Sequence, residues 1–192
     1  MERCGWCEVD DLYRAYHDQE WGVPVTDDDK LFEFLILEGM QAGLNWHTIL
    51  KKRENFRSAY DNFNAKKIAA YGQADMDRLM ADAGCIRNQL KIKAAIQNAR
   101  GFLTIQQQEG SFAKYLWRFT DNQNIQNNFK TLADVPAQTA LSQAISKDLK
   151  KRGFNFVGPT IMYAFMQAVG MVNDHLVTCP RHKEIGNVRH KF

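Results

Sequence analysis

An all-α fold is predicted for this chain of 192 residues. Three observations carry the prediction. Apolar residues recur at helical spacing through most of the length. Segment after segment opens on Thr, Asn or Asp, or closes on Gly. No stretch shows a convincing period-two alternation of the kind a half-buried strand requires. The composition, 45% hydrophobic and 24% charged, is that of an ordinary globular protein. The length suffices for a proper core without disulfide staples.

The elements follow in order. Thr26, with three aspartates behind it, reads as an N-cap and acidic first turn for LFEFLILEGMQAG, which stops near Gly43. Asn45 reads as the cap of WHTILKKRENFRSAY, and Asn64 as the cap of AKKIAAYG, closing at Gly72. DMDRLMADAG is expected to close the same way at Gly84. A long helix is expected over about 88–108, then the short SFAKYLWRF. The polar stretch 120–138, with Pro136, reads as loop. TALSQAISKDLKKRG is amphipathic and ends at Gly153, and PTIMYAFMQAVG starts with Pro159 in its first turn.

Net charge is +3, a mild basic excess that permits a nucleic-acid partner without demanding one. The charge is clustered, as in KKR at 51–53 and KDLKKR at 147–152. MERCGW has no apolar signal-peptide core, and no apolar run approaches membrane-spanning length. A cytoplasmic protein with no membrane association is expected, its cysteines thiols or metal ligands rather than disulfides.

HLVTC, residues 175–179, places a histidine and a cysteine four apart, a metal-ligand spacing that a helix would turn to one face. A closed zinc site needs four ligands. Cys4, Cys7, Cys85, His17, His47, His182 and His190 are the other candidates. Cys4 and Cys7 form a C-x-x-C; Cys4 with His17 would instead complete a Cys2His2 set tying the first turn of the chain to its last helix. Spacing does not choose between Cys4 and Cys7, and a chance pair with buried free thiols is the bland alternative.

KKRGFNFVGPT, residues 150–160, runs from a basic helix end through two glycines into a new helix. Gly153 and Gly158 can take turn conformations closed to other residues. Amides at the new helix N-terminus can bind phosphate, with Lys150, Lys151 and Arg152 supplying charge. The pattern matches a helix–hairpin–helix that grips DNA by its backbone; an ordinary glycine-capped αα-hairpin is the competing reading.

Glu38 shares a helix face with Phe34, Leu35, Gln41 and Ala42, whereas Glu33 sits beside Lys30 in the pattern of a solvated pair. Glu38 is thus the acid more suited to burial, and a buried carboxylate needs a partner or a purpose; a surface glutamate at a helix end is the alternative. The first forty-six residues hold Trp6, Tyr13, Tyr16, Trp21 and Trp46. Such aromatics build either a core or a cage for a planar, electron-poor ring.

MERCGW, AYHDQEWGVP, LEGMQAGLNW, KKRENFR, KKRGFNFVGPTIMYAFMQAVGMVNDH and the cysteine four residues after that histidine resemble the bacterial DNA-3-methyladenine glycosylase I family, from residue 1 to about 180. The resemblance implies the all-α helix–hairpin–helix glycosylase fold, one domain over 1–180 as two helical lobes with a cleft between them, and a tail over 181–192. It implies one structural Zn2+ held by Cys4, His17, His175 and Cys179, with Cys7 a bystander. It places the base pocket on Glu38, Tyr16 and Trp46, with Trp6 and Tyr13 close by. The activity implied is base-excision repair: hydrolysis of the N-glycosidic bond of 3-methyladenine in alkylated double-stranded DNA, with free 3-methyladenine as product. A monomer is expected.

Two departures from the wider superfamily bear on mechanism. Where many members read V-D-T-H with a catalytic Asp, this chain reads V-N-D-H, and Asn173 holds the Asp position. Where bifunctional members carry a lysine after the second hairpin glycine, this chain has Pro159 and Thr160, so no strand-cleaving lyase activity is expected. The lesion is cationic while attached to its sugar and already leaves well, which suits a site without that Asp. Leu44, just past Gly43, is the expected wedge filling the vacated base stack. Two rivals are a zinc-stapled DNA-binding module without catalysis and a metal-dependent hydrolase with an open metal position.

Overall fold

The computed structural model describes residues 2–186. Among them are ten α-helices: α1 (Asp11–Gln19), α2 (Asp28–Gln41), α3 (Trp46–Ala59), α4 (Ala65–Ala69), α5 (Gln73–Ala81), α6 (Gln89–Glu109), α7 (Phe112–Trp117), α8 (Ala140–Lys151), α9 (Pro159–Ala168) and α10 (Pro180–Gly186). A two-residue parallel pair joins β1 (Ile125–Gln126) to β2 (Val172–Asn173). No described helix is long and apolar enough to cross a membrane.

Helix α2 is the centre. Leu31, Phe32, Phe34, Leu35, Ile36 and Leu37 are all buried, so the helix is apolar nearly all round and is packed by α3, α6, α7 and α9. Two of the aspartates at its start do different work. Asp27, not Thr26, is the N-cap, its Oδ1 accepting from the Lys30 amide at 2.8 Å. Asp28 reaches across to the start of α7 and accepts from the amides of Phe112 (2.9 Å) and Ala113 (2.8 Å). Asn45 and Asn64 cap α3 and α4 as expected, and Pro159 occupies the first turn of α9.

Several expectations are corrected. Gly72 does not close α4; it precedes α5 as that helix's N-cap. Helix α5 stops at Ala81, before Gly84, whose missing side chain makes room for Asn55: a Cβ there would lie 2.3 Å from it. Glu33 is no solvated partner of Lys30. It is largely buried and accepts from Arg53 (2.8 Å) and Arg57 (2.7 Å) of α3, two guanidiniums outcompeting one lysine. The 120–138 stretch is mostly loop but contributes β1, a pairing too short for periodicity to register. His175 and Cys179 lie in the turn between β2 and α10, not on a helix; the turn is closed by the Cys179 amide donating to Leu176 O at 2.8 Å. Within the stretch read as a tail, residues 181–186 continue α10, which buries Ile185 and whose His182 carbonyl accepts from Asn173 Nδ2 at 2.8 Å. His190 and the remainder of the tail lie outside the described residues.

Candidate functional site

The first functional region is a cluster of side chains from opposite ends of the chain. Cys4, His17, His175 and Cys179 are all buried, and their ligand atoms lie within 4.8 Å of one another. His175 Nδ1 is 3.2 Å from His17 Nε2 and 3.7 Å from Cys4 Sγ. Cys179 Sγ is 3.7 Å from His17 Nε2 and 3.9 Å from His175 Nδ1. The outward ring nitrogens are engaged: His17 Nδ1 lies 2.8 Å from Asp18 Oδ1, and His175 Nε2 lies 3.0 Å from Trp21 O. Arg3 braces Asp18 in turn at 2.9 Å. Such outer partners fix the ring orientation of metal-binding histidines. The cluster could hold a metal ion. Cys7 points elsewhere, its Sγ donating to Cys4 O at 3.1 Å.

Beside the cluster lies a cleft of about 340 Å³. Trp6, Tyr13, Tyr16, Trp21, Glu38 and Trp46 all line it, so the structure brings the proposed pocket residues to one place. The metal-cluster histidines also touch its wall: the Trp6 ring centroid is 5.3 Å from His17, and the Trp21 ring is 4.6 Å from His175. Tyr16 and Trp46 stand 5.5 Å apart, tilted by 43°. Burial pushes the Tyr16 phenol well above its ordinary value and that of Tyr13 to about 12, so both present neutral rings.

Glu38, in the last turn of α2, is 3% exposed. Among the described residues its Oε2 has no hydrogen-bond partner, nor does the buried Trp46 Nε1. Burial alone raises the Glu38 carboxyl to about 8. It is therefore held as the acid at neutral pH, rather than as the carboxylate the sequence suggested. A cation entering the cleft reverses that balance.

The raised value has a measurable consequence for folding. An acid whose folded value exceeds its unfolded one, here about 8 against 4.5, binds more protons when folded, so stability falls as pH rises through that window. Relative to Glu38→Gln, the wild type is expected to lose on the order of 1.4 kcal/mol per pH unit between those limits. Denaturant titrations of both proteins at several pH values measure it. Parallel curves would mean that Glu38 titrates like an exposed glutamate.

Sequence reasoning missed part of the wall. Leu132 and Val135 come from the loop read as a polar divider, and Ala164 and Gln167 from α9. Gln41, noted only as a neighbour of Glu38, also lines the cleft. Asp174 is the least expected. Asn173 turns away, donating to Gln126 Oε1 (2.7 Å), while Asp174, one residue on, turns to the cleft. Its carboxylate accepts from Tyr163 OH (2.6 Å), Gln167 Nε2 (2.8 Å) and Asn127 Nδ2 (2.7 Å). The V-N-D-H run contained the signal, since adjacent residues of an extended segment face opposite ways.

The hairpin joins α8 to α9, and α9 goes on to line the cleft with Ala164 and Gln167. Gly153 has φ +86°, the left-handed turn expected of it. Gly158 has an ordinary φ of −60°; a side chain there would meet open space. The positive φ in the loop falls instead on Phe156. Lys150 and Lys151 are exposed. Arg152 is already engaged, pairing with Asp148 at 2.8 Å and lying over the Tyr115 ring at 4.9 Å. Leu44 is 44% exposed, in the turn between the cleft residues Gln41 and Trp46.

Comparison with known proteins places this geometry. The family model described as methyladenine glycosylase matches residues 6–182. The DNA-3-methyladenine glycosylase 1 of Escherichia coli (strain K12) is 54% identical over 179 residues, 93% of this chain and 96% of that one. A crystal structure of a 3-methyladenine DNA glycosylase I superposes with a TM-score of 0.91 at 51% identity, covering 93% of this chain and 98% of the other. The Staphylococcus aureus glycosylase solved for its recognition of 3-methyladenine gives a TM-score of 0.90 at 35% identity, covering 98% and 97%.

Proposed function

The chain belongs to the methyladenine glycosylase family, and on that premise we propose how it acts: it excises 3-methyladenine from alkylated DNA by hydrolysing the N-glycosidic bond, the opening step of base-excision repair. The observation that carries the site assignment is the pair of orphaned groups, Glu38 Oε2 and Trp46 Nε1, both on residues lining an aromatic cleft. A flipped purine supplies what they lack: an amino donor for the carboxyl and a ring acceptor for the indole.

Tyr16 and Trp46 hold the cationic ring, each base–aromatic contact contributing about 1–3 kcal/mol. The cationic ring lowers the proton affinity of Glu38, whose proton passes to solvent; the carboxylate then stabilises the cation and accepts from the adenine amino group. Guanine offers an acceptor at the same edge and is disfavoured. The lesion needs no protonation to leave, so water completes the reaction at the sugar. Releasing bases from alkylated duplex DNA and chromatographing them tests the reading. Free 3-methyladenine with little 7-methylguanine is expected. No free base from folded protein would leave only the DNA-binding module.

Zinc is the metal that suits the buried cluster. A tetrahedron with ordinary Zn–N and Zn–S lengths separates two nitrogens by about 3.4 Å and nitrogen from sulfur by about 3.6 Å. The ligand atoms here stand 3.2 Å and 3.7–3.9 Å apart. Four protein ligands leave no open position, so the ion would fasten the N-terminal segment rather than activate water.

Double-stranded DNA is gripped at the hairpin, with Lys150 and Lys151 on the phosphates and the Gly158 turn approaching the backbone. Leu44 fills the gap left by the flipped base. Replacing both lysines by alanine is expected to weaken duplex binding and lower the salt dependence by about one to two ions. Affinity for free 3-methyladenine should not change. Filter binding across salt concentrations reads the first, calorimetry the second.

A further inference from the structure

Helix α6 carries two buried polar side chains that reach the backbones of two different loops. Lys91 is 6% exposed, and its Nζ donates to Met40 O and Ala42 O, both at 2.6 Å. These carbonyls belong to the end of α2, where the helix ladder runs out. Seven residues on, Asn98 clamps the hairpin loop from both sides. Its Nδ2 donates to Asn155 O at 2.9 Å and its Oδ1 accepts from the Asn155 amide at 2.8 Å. Seven residues are two turns, so both side chains stand on one face of α6. Phe156 bridges the gap between the loops, its Cβ within 3.5 Å of where a side chain at Gly39 would begin. Gly101 admits Phe154 to the same helix: a Cβ there would lie 2.5 Å from that ring.

The choice of residue at 91 is informative. Its two partners are carbonyls, neither of them a carboxylate. Burying an ammonium that way is costly, yet an apolar side chain of similar length would leave both carbonyls at the end of α2 unpaired. The arrangement suits a role that packing does not serve: holding the Gly43–Leu44 turn at a set distance from the hairpin.

We propose that Lys91 and Asn98 are positioning residues that fix the α2–α3 turn carrying Leu44 in register with the hairpin at 153–158, so that one duplex meets both loops. This rests on the DNA-contacting roles given to those loops above. Neither side chain lines the base cleft, so capture of a free base does not need them.

The test separates the two. Lys91→Met removes the donors at constant length; Asn98→Asp removes one donor at constant shape. For each variant, single-turnover release of 3-methyladenine from alkylated duplex is measured. So are binding to a duplex containing a tetrahydrofuran abasic analogue and calorimetric affinity for free 3-methyladenine. Release rate and abasic-duplex affinity are each expected to fall by roughly tenfold to a hundredfold, as misplacement of about an ångström commonly costs. Free-base affinity should stay within about twofold. Release unchanged from wild type would overturn the proposal. So would a fall matched by equal loss of free-base affinity, or failure of both variants to fold, since each makes the residues structural. If the wild type itself released no base, the catalytic reading would fail instead, and the abasic-duplex arm would still judge the register.

Discussion

Glu38→Gln is expected to slow release of 3-methyladenine from alkylated duplex by about a hundredfold, the usual scale for losing one electrostatic stabiliser in a desolvated site. The substitution keeps the shape and removes the charge. Glutamine fits the cavity, and its carbonyl still accepts from an adenine amino group, so free-base affinity should fall far less than the rate. The distinction follows from the environment of Glu38. Its carboxyl is raised to about 8 by burial, with no other cause. A cationic base therefore gains a partner in a desolvated site, where opposite charges attract more strongly than in water. The wild-type kcat/KM should rise with pH toward that value, which belongs to the free enzyme, and the variant's should lose this dependence. Equal rates for the two proteins would remove Glu38 from the chemistry.

With zinc in the cluster as proposed, Cys179→Ser or treatment with a strong chelator is expected to have the largest effect on stability. Losing one ligand of a buried four-ligand site leaves three buried polar groups without their common partner. A loss of several kcal/mol corresponds to about 10 °C or more in melting temperature for a chain of this size. Elemental analysis should find about one zinc per chain in wild type, as four ligands on one ion require. The Trp6 and Trp21 rings rest against the cluster histidines. Free-base affinity should therefore fall along with stability. A chelated protein that kept its fold but lost activity would favour a catalytic metal, and one that kept both would dispense with the fastener.

Much of this was legible in the residues. Helix caps were readable at Asn45 and Asn64, where one polar side chain stands alone before the apolar run. They misled where a neighbour took the role, as Asp27 did from Thr26, or where glycine serves a neighbouring element's packing, as at Gly84. Glu38 stood out because helical periodicity places it among apolar residues. Asp174 did not, because its position depends on which way a two-residue strand faces, and that is set by pairing with β1 some fifty residues away. Leu132 and Val135 were hidden for a related reason: a polar loop gives no periodic sign of the two apolar residues it tucks against a cleft. The resemblance carried the grouping of Cys4, His17, His175 and Cys179 that the structure shows, which spacing had left undecided between Cys4 and Cys7.

The buried Cys–His cluster also sets an order of events in the life of the chain. Cys4 and His17 leave the ribosome long before His175 and Cys179, since 158 residues separate the two histidines. Until the later pair emerges, the early segment lacks two of the four cluster side chains, and Trp21 has no His175 ring to rest on. Closing so long a loop costs only slightly more entropy than closing a short one, because the cost grows with the logarithm of length. The delay is thus thermodynamically cheap. A chain cut before Asp174 would lack half of the cluster and part of the cleft wall, so competence to handle a damaged base waits on the later pair.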